Sequence, residues 1–286
     1  MGLFGESIEI KTPAQMLAMR RAGLIVGRTL AALREAARPG VSTAELDAIA
    51  EDSIRAQGGI PSFKGYAPFP PEPPFPATIC ASVNDEVVHG IPGERVLAEG
   101  DIVSIDCGAI VEGFHGDAAL TVAVGEVSLE VAQLLQVTEE SMWRGIAAVR
   151  AGGRIGDISH AVSGYLRGRG RYGIVEEFTG HGIGSSMHMA PDVPNVGKRG
   201  KGPTIAVGMG LAIEPMATLG TRHVAALEDG WTIVTEDGSW AAHFENTVVV
   251  TETGLWVTTA LDGGRDRLTQ LGLPFGGPED DPEYEE

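Results

Sequence analysis

The sequence predicts an α/β chain built as two related halves, each presenting a pair of carboxylates. Two observations carry that expectation. Gly100 to Gly125 reads as a β-rich hairpin bearing Asp106 and Asp117, and Gly208 to Glu214 repeats the pattern G-x-x-x-x-I-acid of Gly100 to Asp106. Each repeat is followed by a second acid opening an apolar strand: Asp117 before AALTVAV after 11 residues, Glu245 before NTVVVTE after 31.

The hairpin fixes the geometry of the first pair. Ile102, Val103, Ile105, Ile110 and Val111 make one strand rich in β-branched residues, and Leu120 to Val124 makes its partner. A two-residue turn at Glu112-Gly113 pairs Val111 with Phe114 and Gly108 with Asp117. Asp106, two residues from Gly108, then shares a face with Asp117 at the diagonal position. Two acids aimed at one spot repel each other and are costly to bury, and a divalent cation removes both problems.

Taken in order, the chain opens with Thr12-Pro13, a capping residue and a proline for the first helical position. Apolar residues at Met16, Met19, Ala22, Ile25 and Leu30 continue the helix to before Pro39-Gly40. Ser42 and Glu45 form a capping box for a second helix through about Gln57. The segment Ile60 to Pro76 is irregular, and Tyr66 to Pro76 holds six of the seventeen prolines, a stiff extended loop expected at the rim of a pocket. Ala77 to Val88 reads as a strand ending in His89-Gly90-Ile91-Pro92. Helices are expected over Ser128 to Val149 and Asp157 to Arg169. Phe178 to Gly184 places His181 between glycines, where backbone can approach closely, and His188 follows. Gly208 to Pro215 and Trp231 to Val257 are again β-rich.

Composition excludes several classes. The apolar and charged fractions, 43% and 21%, are those of a soluble globular protein, and 286 residues are ample for a large core. No apolar run approaches a membrane span, no signal pattern opens the chain, and Glu6 breaks the myristoylation pattern. Two cysteines, Cys80 and Cys107, are too few for a disulfide framework, so a reduced, cytoplasmic setting is expected. The net charge of −18 argues against DNA and general nucleic-acid binding, leaving open a local basic patch on RNA.

Asp106, Asp117, His181, Glu214 and Glu245 together make an oxygen-rich donor set suited to a dinuclear site of manganese, iron, cobalt or zinc. Any one of these acids alone is more often a solvated side chain. Their shared context, on strands and beside glycines, favours the metal site.

The order of Asp106, Asp117, TGHGIG, IEPM and the E-x-T-V acid resembles the type I methionine aminopeptidases, over about residues 10 to 262. The resemblance implies the pita-bread fold, two pseudo-symmetric halves with a central antiparallel sheet covered by helices. It implies a domain over residues 11–265, a short extension over 1–10 and an acidic, disordered tail over 266–286. Asp106 would hold one of two divalent ions, His181 and Glu214 the other, with Asp117 and Glu245 bridging; Glu214 would also move a proton. His89 and His188 match the two substrate-contacting histidines. Tyr66, Phe75, Cys80, Met187 and Trp231 match a methionine pocket, although a large aromatic is usual where Met187 stands, and Phe63 is aligned nearby. The implied reaction is removal of an initiator methionine preceding a small residue, by attack of a metal-bound hydroxide on the first peptide bond. The implied partners are methionyl peptides and nascent chains, with the ribosome as a further contact, and the expected state is a monomer.

Two rivals differ in class. A prolidase or aminopeptidase P shares the five ligands, but carries a sizeable N-terminal domain where only about 75 residues precede the strand that contains VNDEVVHG here. A non-catalytic binding protein of this fold typically lacks some of the five ligands.

Overall fold

The computed structural model describes residues 7–67 and 73–279. Helix α1 (Pro13–Ala36) begins on a reciprocal cap: the Gln15 N–H donates to the Thr12 hydroxyl, and the Thr12 N–H donates to the Gln15 side-chain oxygen. Helix α2 (Thr43–Ala56) uses the same exchange between Ser42 and Glu45. Ser128 caps α3 (Leu129–Ala147). Helix α4 (Ile155–Arg169) starts two residues before the expected Asp157. Asp157 sits inside its first turn, where its carboxylate accepts from the Arg154 N–H.

The Gly100–Gly125 hairpin folds in the register its turn dictates. Strands Ile102–Val111 and Phe114–Ala123 pair Val111 with Phe114 and Gly108 with Asp117. Glu112 and Gly113 both have positive φ, 52° and 81°, giving the turn a twist that matches the strands. Among the described residues this hairpin belongs to a nine-stranded antiparallel sheet, in which its second strand pairs with the strand Glu245–Val250 at the middle.

The sequence repeat extends to its hydrogen bonds. Gly100 and Gly208 adopt φ of 91° and 90°, and their N–H groups donate to Val124 O and Val250 O, each at 2.8 Å. The return bonds, from Val124 to Asp101 O and from Val250 to Met209 O, also match. Helices α1 and α2 pack on the first half, while α3 pairs with α4 and covers strands of the second. The halves pair along a seam where Glu245 lies opposite Ala119 and Asn246 opposite Ala118. Glycine brings α1 close to the hairpin, since a Cβ on Gly116 would lie 2.6 Å from the Gly23 backbone nitrogen.

Three expectations need correction. Ala77 to Val88 is two strands, Ile79–Val83 and Glu86–Val88, broken at Asn84. Asn84 has φ 61° and is held there by side-chain bonds with Ile102 N–H and Asp101. Trp231 to Val257 divides into four short strands, the second Ala241–His243 and the third Glu245–Val250. The segment expected as a disordered tail starts with helix α5 (Arg265–Gln270), which buries Leu268, and Phe275 bridges to Leu255. Its apolar residues pack on the core; residues 280–286 lie outside the described residues. Ahead of α1, Ile8 also packs against the core and Glu9 accepts hydrogen bonds from Ser185.

Candidate active site

Register assembles the acids. Cys80 pairs with Asp106, Asp106 with Ala119, and Ala119 with Glu245, one rung across four strands. Directly paired residues present their side chains to the same face, and Asp117, two residues before Ala119, shares it. The methyl of Ala119 is the small member of the rung, so the space between Asp106 and Glu245 is not filled by a side chain. Glu214 directly follows the strand Gly210–Ile213, which pairs with Glu245–Val250. His181 is the middle residue of the strand Gly180–Gly182, whose glycines admit the neighbouring Ala212 and Ala190 carbonyls at distances a Cβ would forbid. The His181 Nδ1–H donates to the Gly182 carbonyl at 3.0 Å, leaving the Nε2 lone pair 3.4 Å from Glu214 Oε1.

The cluster is electrostatically unsatisfied without a cation. Asp106 Oδ1, Asp117 Oδ1, Glu245 Oε1 and His243 Nε2 are buried without a hydrogen-bond partner among the described residues. Burial pushes the Asp106 carboxyl up to about 7 and that of Glu214 up to about 8. Burial first, then the neighbouring acids, drives Asp117 and Glu245 well above the carboxylate range. Burial and the adjacent His188 push His181 down to about 3, so it is a neutral imidazole with a free donor nitrogen. Two triads have donor atoms all within 4.8 Å of one another: Asp117, His181 and Glu245, and Glu214, His243 and Glu245. Glu245 belongs to both, and Asp106 adjoins them on the rung. Buried carboxylate oxygens plus neutral imidazole fit divalent metal ions.

A cavity of about 850 Å³ lies over this floor. At one side Phe63, Phe75, Cys80 and Met187 form a buried apolar cluster, with Tyr66 and Trp231 packed against it. The five residues expected to make the pocket therefore meet. Phe75 meets Trp231 edge-on at 5.2 Å, and the Trp231 indole N–H donates to Pro73 O at 3.0 Å. Residues 68–72 of the proline-rich segment lie outside the described residues, so the expected rim rests on its ends, Tyr66 and Pro73 to Phe75.

Both expected histidines line the same cavity. His89 has φ 60°, a strained conformation for a residue with a Cβ, and stacks edge-on with Phe178 at 5.4 Å. His188 stands at the mouth, 4.3 Å ring to ring from His181, with Nδ1 2.7 Å from the Tyr66 hydroxyl. Sequence reasoning missed Phe178 and His243. The second had a partial signal, because His243 stands two residues before Glu245, the spacing of one strand face, although the structure puts the two on separate strands.

The comparisons agree with this geometry. The description of metallopeptidase family M24 matches residues 17–252. A methionine aminopeptidase of Clostridium acetobutylicum is 51% identical over 253 residues, 88% of this chain and 98% of that protein. The crystal structure of methionine aminopeptidase from Thermotoga maritima superposes with a TM-score of 0.85 at 39% identity, covering 89% of this chain and all (100%) of that one. A Xaa-Pro dipeptidase from Bacillus anthracis shares the fold at lower similarity, TM-score 0.69 and 25% identity, covering 87% of this chain and 61% of that one. The chain belongs to metallopeptidase family M24 and, within it, to the methionine aminopeptidases.

Proposed function

We propose that the chain removes the initiator methionine from chains whose second residue is small, using two divalent cations held by Asp106, Asp117, His181, Glu214 and Glu245. The observation that carries this reading is the juxtaposition of unpaired buried carboxylate oxygens with an apolar, thioether-sized pocket in one cavity.

When bound, the cations supply a nucleophilic water at neutral pH and polarise the peptide carbonyl. The protein does the rest. Phe63, Phe75, Cys80, Met187 and Trp231 receive the methionine side chain, for which a soft, apolar wall is suited. The carboxylate-rich floor attracts the free α-ammonium, which restricts cleavage to the first peptide bond. His188, with Nδ1 accepting from Tyr66, keeps its proton on Nε2 and donates it toward the carbonyl oxygen as negative charge develops there. His89 contacts the scissile nitrogen, and Glu214 takes a proton from the attacking water and returns it to the departing amine. The paired rings Tyr66–His188 and His89–Phe178, at 5.3 and 5.4 Å, crowd the space for the second side chain, which supports the preference for small residues.

The natural substrates in this reading are nascent chains met in the cytoplasm, with a ribosome contact and a monomeric enzyme. Two buried free cysteines, Cys80 and Cys107, suit a reducing compartment, and no described helix is long and apolar enough to cross a membrane.

The decisive experiment compares Met-Gly-Met-Met with an X-Pro peptide on chelator-stripped protein, before and after restoring manganese, cobalt, iron or zinc. Methionine release only with metal supports the reading. Cleavage of the X-Pro peptide instead, or of neither, overturns it.

A further inference from the structure

The five expected ligands leave one buried donor unexplained. His243 ends the strand Ala241–His243, and its backbone is clamped on both sides by Thr121: its N–H donates to the Thr121 hydroxyl at 2.9 Å, and that hydroxyl donates to its carbonyl at 2.8 Å. Met216 pairs with it across the neighbouring strand. The side chain is therefore placed by a fixed backbone, and it is 1% exposed. Its Nε2 has no hydrogen-bond partner among the described residues and lies 3.6 Å from Glu214 Oε2, too far for a hydrogen bond. A buried ring nitrogen left unpaired beside a carboxylate is costly unless something else occupies the shared space.

We propose that His243 is a sixth metal ligand, binding through Nε2 the cation shared with Glu214 and Glu245. The inference rests on the metal centre set out under Proposed function and extends it. The donor atoms of Glu214, His243 and Glu245 already converge within 4.8 Å. Four carboxylates with two imidazoles make a more nitrogen-rich centre than the five residues alone. Imidazole favours iron, cobalt, nickel and zinc, whereas carboxylate-dominated sites suit manganese. His243 thus biases the centre away from manganese.

The test uses full-length, chelator-stripped protein titrated calorimetrically with cobalt or manganese, comparing wild type, His243→Gln and Asp117→Asn. Glutamine retains bulk and polarity. His243→Gln is expected to weaken one cobalt site by about 10- to 100-fold, with a smaller loss for manganese, and to shift the visible bands of bound cobalt. Unchanged cobalt affinity and spectrum in His243→Gln, with binding lost in Asp117→Asn, would remove His243 from the centre and leave the centre standing. Unchanged binding in both variants would overturn the metal centre itself, and this inference with it. Wild-type protein gives an answer that needs no variant to fold: proton NMR of the cobalt-loaded chain should show two strongly shifted imidazole N–H signals that vanish in D₂O. A single such signal would sink the proposal.

Discussion

The Tyr66 hydroxyl lies 2.7 Å from Nδ1 of His188, joining the apolar cluster to the imidazole proposed to meet the scissile carbonyl. Tyr66 packs against the Phe63–Phe75–Cys80–Met187 cluster with one end and reaches the mouth of the cavity with the other. Filling of the pocket and orientation of the imidazole are thus physically linked.

Tyr66→Phe keeps the ring in the pocket and removes that bond. We expect kcat to fall about 5- to 10-fold with KM little altered, the effect of one hydrogen bond worth about 1 kcal/mol. Steady-state kinetics on Met-Gly-Met-Met measures both constants. An unchanged kcat would mean the bond does not position His188.

Asp117→Ala removes an acid that adjoins His181 and Glu245 in one triad. Turnover should fall below detection, and dialysed protein should retain fewer divalent ions by elemental analysis. Full activity would exclude Asp117 from the centre.

The metal-free protein should lose stability as pH rises above about 6.5, the ordinary value of its buried, neutral histidines. Asp106 and Glu214 titrate at about 7 and about 8 when folded, against 3.8 and 4.5 as ordinary carboxyls. Between those limits the folded chain binds more protons than the unfolded one, so stability falls with rising pH. For these two groups the loss is complete above about pH 8. Above about pH 6.5 the buried histidines, all held below that ordinary value, are neutral in both states and leave the acids to decide, so melting curves in chelator from there to about pH 9 should shift downward, and saturating divalent cation should flatten the trend. A chelated Tm that rises over this range would contradict the burial of unpaired acids.

Met187 is buried in the apolar cluster proposed to receive the substrate side chain, and Met187→Ala would remove its thioether from that wall. A rise in KM of about 10-fold, with a smaller change in kcat, corresponds to losing part of one apolar side chain's transfer energy. Peptides beginning with norleucine should show a similar penalty; an unaffected KM would move Met187 out of the pocket.

Gly116 faces the α1 backbone, with space for hydrogen alone. Gly116→Ala should destabilise the protein by about 1–3 kcal/mol through displacement of α1, seen as a lower denaturation midpoint. An unchanged midpoint would show that the helix can shift freely.

Much of this molecule was legible because local rules and the global fold agree. The turn residues Glu112-Gly113 set a register, and that register alone puts Asp106 and Asp117 on one face. The matched glycines Gly100 and Gly208 marked equivalent positions in the two halves. What escaped notice depended on long-range pairing. The break at Asn84 is held by Asp101 and Ile102, which no local pattern around residues 77–88 reveals. His243 carries no glycine flank like that of His181, and beyond its spacing from Glu245 its approach to Glu214 depends on a residue brought in by a distant part of the chain. Helix α5 was obscured by the acidic end that follows it, although Leu268, Leu271, Leu273 and Phe275 supply the apolar face that packs it down.

The seam at Ala118–Ala119 and Glu245–Asn246 divides the acids evenly, Asp106 and Asp117 from one side, Glu214 and Glu245 from the other. Neither copy of the repeated unit owns a complete centre. Bare, the four acids must share protons or repel across the seam; with the proposed cations bound, they would tie the two copies together. On that reading, occupancy is expected to decide whether the two copies open separately or as one body, and hydrogen exchange along the seam would register the difference.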